Sequence, residues 1–440
     1  MKSINWHYES IEKQDQFQSI ALKNTLNFLL KNSPFYQSFF KKHHISIDDI
    51  HTLKDLSLIP TTSKEDIQKY NHQFQCVESS KIIEYTATSG TLGSPVFVSL
   101  TQNDLNRLAL NEMQSFLMMG VNENDIAQLM LTLDKQFMAG LAYHYGLTKI
   151  NAGIVRTGPG LPQMQIETMQ KLSTTVLIAV PSFIIKIIEY CQSENIDLNK
   201  LPIRKILCIG ENIRNEDFSL NALAQKIKNH WNVELYSTYA STEMQTAFTE
   251  CEAHQGGHHQ PDLIIFEIVD EDGKQLKAGE YGEVTITSLG IEGMPLLRFR
   301  TGDIASYDDT PCMCGRLSRR ISPIVGRKNQ MIKCKGTTLF PATIFDILNQ
   351  FSHIKEYVIE VKDNELQSDD LTLYLSIDIP IDECESMLKP FLQSRLRLTP
   401  NIKYLSTKEV LKMQFPNNNR KPIKFIDKRK TVKYERESEN

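Results

Sequence analysis

The segment "IALKNTLNFLLKNSPFYQSFFKKH" repeats its apolar residues at helical spacing, and residues 1 to about 60 are predicted as helices. Beyond them the period changes. The short apolar runs "DIAQLMLTL", "TTVLIAV", "KILCIG" and "VELYSTY" read as buried strands, with "PSFIIKIIEYCQSEN" and "NALAQKIKNHW" as the helices between them. Strands and helices in alternation predict an α/β fold with a mainly parallel sheet. From about Asp262 the pattern becomes two-residue alternation: "LIIFEIVDEDGKQL" is predicted as a hairpin turning through Glu271, Asp272 and Gly273, and "GEVTITSL" as a further strand of a β-rich subdomain. The last segment carries its own helix, "ATIFDILNQF", and strand, "LTLYLSIDI", and is predicted as a small α+β domain with a basic tail.

Composition narrows the function classes. A chain of 440 residues exceeds one ordinary core, which fits a large domain plus a smaller one. The formal net charge of -4 gives no argument for wholesale nucleic-acid binding. The apolar stretch "TTVLIAVPSFIIKII" is broken by Pro181, Ser182 and Lys186, short of the roughly 20 residues that span a bilayer. The first residues, "MKSINWHYESIEKQDQFQ", contain no apolar signal region, and eight scattered cysteines suit reduced thiols; a cytoplasmic protein is expected.

Candidate chemistry begins at "YTATSGTLGSP", Tyr85 to Pro95, where hydroxyls interleaved with Gly90 and Gly93 can turn backbone N–H groups toward one anion, or form an ordinary turn. Ser94 and Pro95 stand where a Walker loop needs Lys and Ser/Thr. In "YASTEM", after a buried strand, Glu243 is placed to hold Mg²⁺ against phosphate oxygens, or to sit in the first turn of a capped helix. In "RFRTGDI", Asp303 after a tight glycine turn can accept two ribose hydroxyls, or be a plain turn residue. "GRKNQMIKCKG" reads as a hinge or a polar hairpin.

The order and spacing of these motifs, closed by a late lysine, resemble the adenylate-forming superfamily of acyl- and aryl-CoA synthetases. "SPFYQSFF", "LSLIPTTSKEDI", "GLAYHYGL" and "FIDKRK" look like its phenylacetate-CoA ligase branch. The resemblance implies a large AMP-binding domain over 1–327 and a small mobile domain over 328–440, turning about Lys328 and Asn329. It places Thr88, Ser89, Gly90, Thr91 and Gly93 on the ATP phosphates, and Gly210, Glu211 and Asn212 beside the adenine. Tyr239, Ala240, Ser241 and Thr242 line nucleotide and carboxylate, Glu243 is the Mg²⁺ ligand, Asp303 the ribose ligand, and Arg327 lies next to the hinge. Phe137, Gly140, Tyr143, His144 and Gly146 fall along the acyl pocket. Lys421 aligns with the lysine that approaches the reacting carboxylate and α-phosphate, with Lys424 as the other candidate. The chain departs from the pattern at Ser94, often Lys, at Asn329, often Asp, and at Arg420, usually Gly.

The implied activity is ATP- and Mg²⁺-dependent ligation of a small carboxylic acid, aromatic by the branch, to coenzyme A. Transfer to the phosphopantetheine of a carrier protein, or a non-catalytic nucleotide-binding role, are the alternatives. A homodimer is implied by resemblance. "ECEAHQGGHH" and "TPCMCG" supply Cys251, His258, Cys312 and Cys314, three thiolates and an imidazole suited to a closed tetrahedral Zn²⁺ site, or else four reduced side chains on turns. Relatives in the branch carry a similar pattern, which favours structural zinc; His254 and His259 are the alternative ligands.

Overall fold

A computed structural model describes residues 5–88, 95–334, 337–363, 369–416 and 422–429. Two compact units make up the chain, one reaching Ile324 and the other starting at Val325, so Arg327 belongs to the second.

In the first unit, the helix Ile11–Asn32 begins at Ser10, whose hydroxyl accepts from Lys13 N, and Pro34 opens the following helix, Pro34–Lys42. Their apolar faces bury Leu22, Leu26, Leu29 and Tyr36 against the β-rich part. The central sheet places the parallel strands Gly153–Arg156, Ile126–Leu129, Val176–Ala179, Lys205–Cys208 and Glu234–Ser241 side by side. Val176–Ala179 is buried at every position, as a continuous apolar run in a sheet covered on both faces must be. The sheet continues antiparallel through Thr246–Glu250, Gly257–His258 and Arg320–Ile321. The fold is therefore α/β with a β-rich subdomain.

The hairpin expected in "LIIFEIVDEDGKQL" is reduced in the structure. The turn exists, with Gly273 N donating to Asp270 O at 3.2 Å, but the returning arm makes only a bridge between Val269 and Gln275. Strand Ile264–Val269 pairs along its full length with Gly282–Ser288 instead. The reason is burial: Val284 and Ile286 alternate onto the same core as Ile264 and Ile268, whereas Lys274 and Gln275 are polar.

The second unit is α+β. Strands Ile354–Asp363 and Asp369–Ile377 pair antiparallel, flanked in parallel by Phe425–Asp427 and Asn401–Tyr404. Helices Pro341–Asn349 and Ile381–Leu396 bury Ile344, Leu348, Leu388 and Leu392 in its core. Ile332–Cys334 and Thr337–Leu339 form a small antiparallel pair.

Candidate nucleotide site and metal cluster

On either side of the hydroxyl-rich stretch, Glu84–Ala87 and Phe97–Leu100 pair as a two-stranded antiparallel ribbon. Thr88 clamps its base: Thr88 N donates to Val96 O at 3.0 Å, and Val96 N donates to Thr88 Oγ1 at 3.1 Å. Ala87 N donates to Gln136 O at 2.9 Å, which ties the ribbon to the segment before Phe137. Ser89, Gly90, Thr91, Gly93 and Ser94 lie outside the described residues, as do Arg420 and Lys421.

"YASTE" occupies the end of strand Glu234–Ser241 and the turn into Thr246–Glu250. Thr242 and Glu243 therefore belong to a β-hairpin turn rather than a helix cap. Met244 N donates to Ser241 Oγ at 3.2 Å, and Gln245 takes a positive φ of 51° to close the turn. Ala240 is exposed, while Glu243 is only 8% exposed. Lys64 Nζ lies 3.1 Å from Glu243 Oε1. Lys64 is the first residue of helix Lys64–Tyr70, set there by the capping box of Ser63 and Asp66.

Asp303 lies inside strand Phe299–Ala305, not on the expected turn. Gly302 has φ +80°, a conformation costly for any side chain, and marks a bulge that re-aims the strand at this point. Tyr239 Oη donates to Asp303 Oδ2 at 2.9 Å and lies 3.3 Å from Thr301 Oγ1. Two motifs 64 residues apart thus share one hydrogen bond. Gly210, φ +73°, starts the turn after strand Lys205–Cys208; Glu211 Oε2 accepts from Ser182 N at 2.8 Å, and Asn212 Nδ2 donates to Ile324 O at 3.3 Å.

Phe137 precedes helix Met138–Ile150, which carries the other acyl-pocket candidates. Gly140 and Gly146 are packing positions: a Cβ on Gly140 would meet Thr132 O at 2.1 Å, and one on Gly146 would meet Glu112 Cβ at 2.5 Å. Tyr143 is buried against Phe116 at a ring distance of 5.9 Å. His144 is half-buried with no hydrogen-bond partner at Nδ1 among the described residues, and burial, then the charge of Arg156, lower its pKa. In the second unit, Lys424 places its ammonium 4.5 Å from the centroid of the Tyr357 ring.

The ligand atoms of Cys251, His258, Cys312 and Cys314 all lie within 4.8 Å of one another. Cys251 Sγ and Cys312 Sγ are 3.6 Å apart, and Cys314 Sγ is 3.5 Å from His258 Nε2. Those spacings exceed a disulfide bond and match the edges of a tetrahedron with metal–sulfur bonds of about 2.3 Å. Burial drives the Cys251 thiol upward; at Cys314 burial also pushes upward, but hydrogen bonds with Arg316, Cys251 and Cys312 together lower its pKa. Burial also pushes His258 down to about 3 and so keeps it neutral. His254 stands apart, 3.5 Å from both Glu234 and Glu250, and His259 Nδ1 is 3.1 Å from Arg319 O.

Two parts of these sites had no local signal in the sequence. Lys64 comes from a distant helix, although "SKED" does spell its cap. His7 lies in a short turn near the N-terminus and reaches the metal cluster through Ser318.

Residues 37–292 match the family described as AMP-binding enzyme. The phenylacetate-coenzyme A ligase of Pseudomonas putida is 26% identical over 354 residues, spanning 79% of this chain and 78% of its own. That of Escherichia coli K12 is 27% identical over 362 residues, spanning 80% of each. Among solved structures, a 2-hydroxyisobutyryl-CoA ligase in the postadenylation state matches with a TM-score of 0.83 at 18% identity, covering 96% of this chain and 91% of that one.

Proposed function

This chain belongs to the AMP-binding enzyme family, and from that premise we infer how its residues divide the work of an ATP-dependent acid–thiol ligase. It adenylates a carboxylic acid and passes the acyl group to coenzyme A, in line with the phenylacetate-coenzyme A ligases it resembles over about four-fifths of its length. In the first step a carboxylate oxygen bonds to the α-phosphorus of ATP and pyrophosphate leaves. In the second, the thiol sulfur bonds to the acyl carbon and AMP leaves, its proton going to solvent.

The observation that carries the residue assignment is the meeting of Tyr239 with Asp303, beside a turn that presents Glu243. Asp303 receives the ribose hydroxyls, and Tyr239 orients its carboxylate. Thr88, Ser89, Gly90, Thr91 and Gly93 receive the phosphates; Gly210, Glu211 and Asn212 flank the adenine. Glu243 holds Mg²⁺, which neutralises phosphate charge when bound. Lys64 sits where a cation complements phosphates, in a chain with Ser94 in place of the expected loop lysine. Lys421 stabilises the charge that gathers at the α-phosphate. Lys421→Ala is expected to abolish acyl-adenylate formation while leaving thioester formation from supplied acyl-adenylate intact; equal loss of both steps assigns it another role.

The acid is aromatic in this reading, received along Phe137 and His144. Coenzyme A is the acceptor, with the phosphopantetheine of a carrier protein as the competing thiol. Cys251, His258, Cys312 and Cys314 hold one Zn²⁺, whose role is to pin two loops together. The enzyme works as a cytoplasmic homodimer; among the described residues no helix is long and apolar enough to cross a membrane. Pyrophosphate exchange with a panel of aryl and aliphatic acids, followed by coenzyme A or a carrier protein, tests the reading. Exchange with aryl acids and product with coenzyme A are expected; exchange with no acid revives a purely nucleotide-binding role.

A further inference from the structure

Around the metal cluster the hydrogen bonds run in one direction. His7 is 3% exposed, and its Nε2 lies 2.8 Å from both Gln114 Oε1 and Gln260 Oε1. Two carbonyl oxygens facing one ring nitrogen require that nitrogen to carry the proton. Buried, with neutral partners at both ring nitrogens, the ring is neutral and its Nδ1 is an acceptor. Ser318 Oγ stands 2.9 Å from that Nδ1 and equally 2.9 Å from Nδ1 of His258. A hydroxyl has one proton. Donated to His7, it leaves only lone pairs for His258, whose Nδ1 must then be the donor.

We propose that His7, acting through Ser318, fixes His258 as its Nδ1–H tautomer and aims the Nε2 lone pair at the metal position among Cys251, Cys312 and Cys314. The inference rests on the zinc reading of that cluster. The opposite tautomer would put an N–H on Nε2, the atom that faces Cys314 Sγ at 3.5 Å, and would leave no lone pair for a metal. The chain of contacts also fastens the N-terminal segment to the loop that carries two ligands, because Leu317 N donates to His7 O at 2.6 Å. His7 and Ser318 are positioning residues; neither supplies a metal bond.

The test uses the full-length protein and zinc alone, in competition with a chromophoric chelator. Ser318→Ala and His7→Leu are each expected to weaken zinc binding about ten- to a hundredfold, the range seen when a ligand's hydrogen-bond partner is removed. Because both act through one chain, the double variant should bind no more weakly than the worse single one. Wild-type affinity in Ser318→Ala, or losses that simply add, overturns the relay. Should His7→Leu fail to fold, ¹⁵N-histidine spectra of the zinc-loaded wild type decide: His7 protonated at Nε2 and His258 at Nδ1 supports the proposal, and His7 protonated at Nδ1 overturns it. Metal analysis separates the two readings. A wild-type chain without zinc removes the metal site and the relay together, whereas one zinc per chain with an unaffected Ser318→Ala removes only the relay.

Discussion

Glu243→Gln is expected to slow pyrophosphate exchange by about 100- to 1,000-fold, equivalent to roughly 3–4 kcal/mol of transition-state stabilisation. The carboxylate sits in a tight hairpin turn, 8% exposed, so it is held in place before any ligand arrives. Among the described residues its ionic partner is Lys64 at 3.1 Å, a side chain 40% exposed. Removing the negative charge frees that lysine to reach solvent, and a partly exposed pair contributes only about 0–1 kcal/mol to folding. Activity should therefore collapse while thermal stability stays near wild type. Raising Mg²⁺ should not restore the rate, because glutamine retains the shape but not the charge that holds the ion. A Glu243→Gln enzyme with exchange within a few-fold of wild type would remove Glu243 from the metal assignment.

Four of the five parallel strands were legible as apolar runs, as in "VLIA", which is buried at every position; the edge strand Gly153–Arg156, which has no buried position, was not. Strand partners were less so. Period-two alternation in "LIIFEIV" says which residues face the core, but not that Gly282–Ser288, rather than the adjacent "GKQL", supplies the pairing edge. Candidate site residues could be picked out where the chemistry needs unusual residue types close together, as in "YASTE" and "RTGD". Their geometry could not: the bulge at Gly302 depends on how its strand pairs with Gly282–Ser288, and the hydrogen bond from Tyr239 to Asp303 arises only when strands from separate sheets approach. His7 and Lys64 were not singled out, because each meets its partners only through long-range contacts, His7 with Ser318, Gln114 and Gln260 and Lys64 with Glu243. Gly140 and Gly146 show the converse. Small residues beside a pocket motif are accounted for here by the close approach of Thr132 and Glu112 to their helix.

That close approach leads to the second large effect. Between pH 5 and pH 8 the folded protein is expected to lose about 3–4 kcal/mol of stability from Glu112 alone, a loss absent in Glu112→Gln. Glu112 is 3% exposed; Asn111 Nδ2 donates to its Oε1 at 2.9 Å, and its Oε2 has no hydrogen-bond partner among the described residues. Burial pushes its pKa up to about 8 from an ordinary 4.5. In the unfolded chain the carboxyl ionises near the ordinary value, so from there to about pH 8 the folded state holds a proton that the unfolded state has released. Stability then falls as pH rises, is fully retained below the unfolded pKa, and stops falling once the folded group ionises. Glutamine fills the same space beside Gly146 and cannot ionise, so the variant should gain on wild type steadily over this range. Urea unfolding of both proteins from pH 5 to pH 8 reads the difference directly. Parallel curves across that range would mean that the carboxyl is ionised in the fold, its charge stabilised by the hydrogen bond from Asn111.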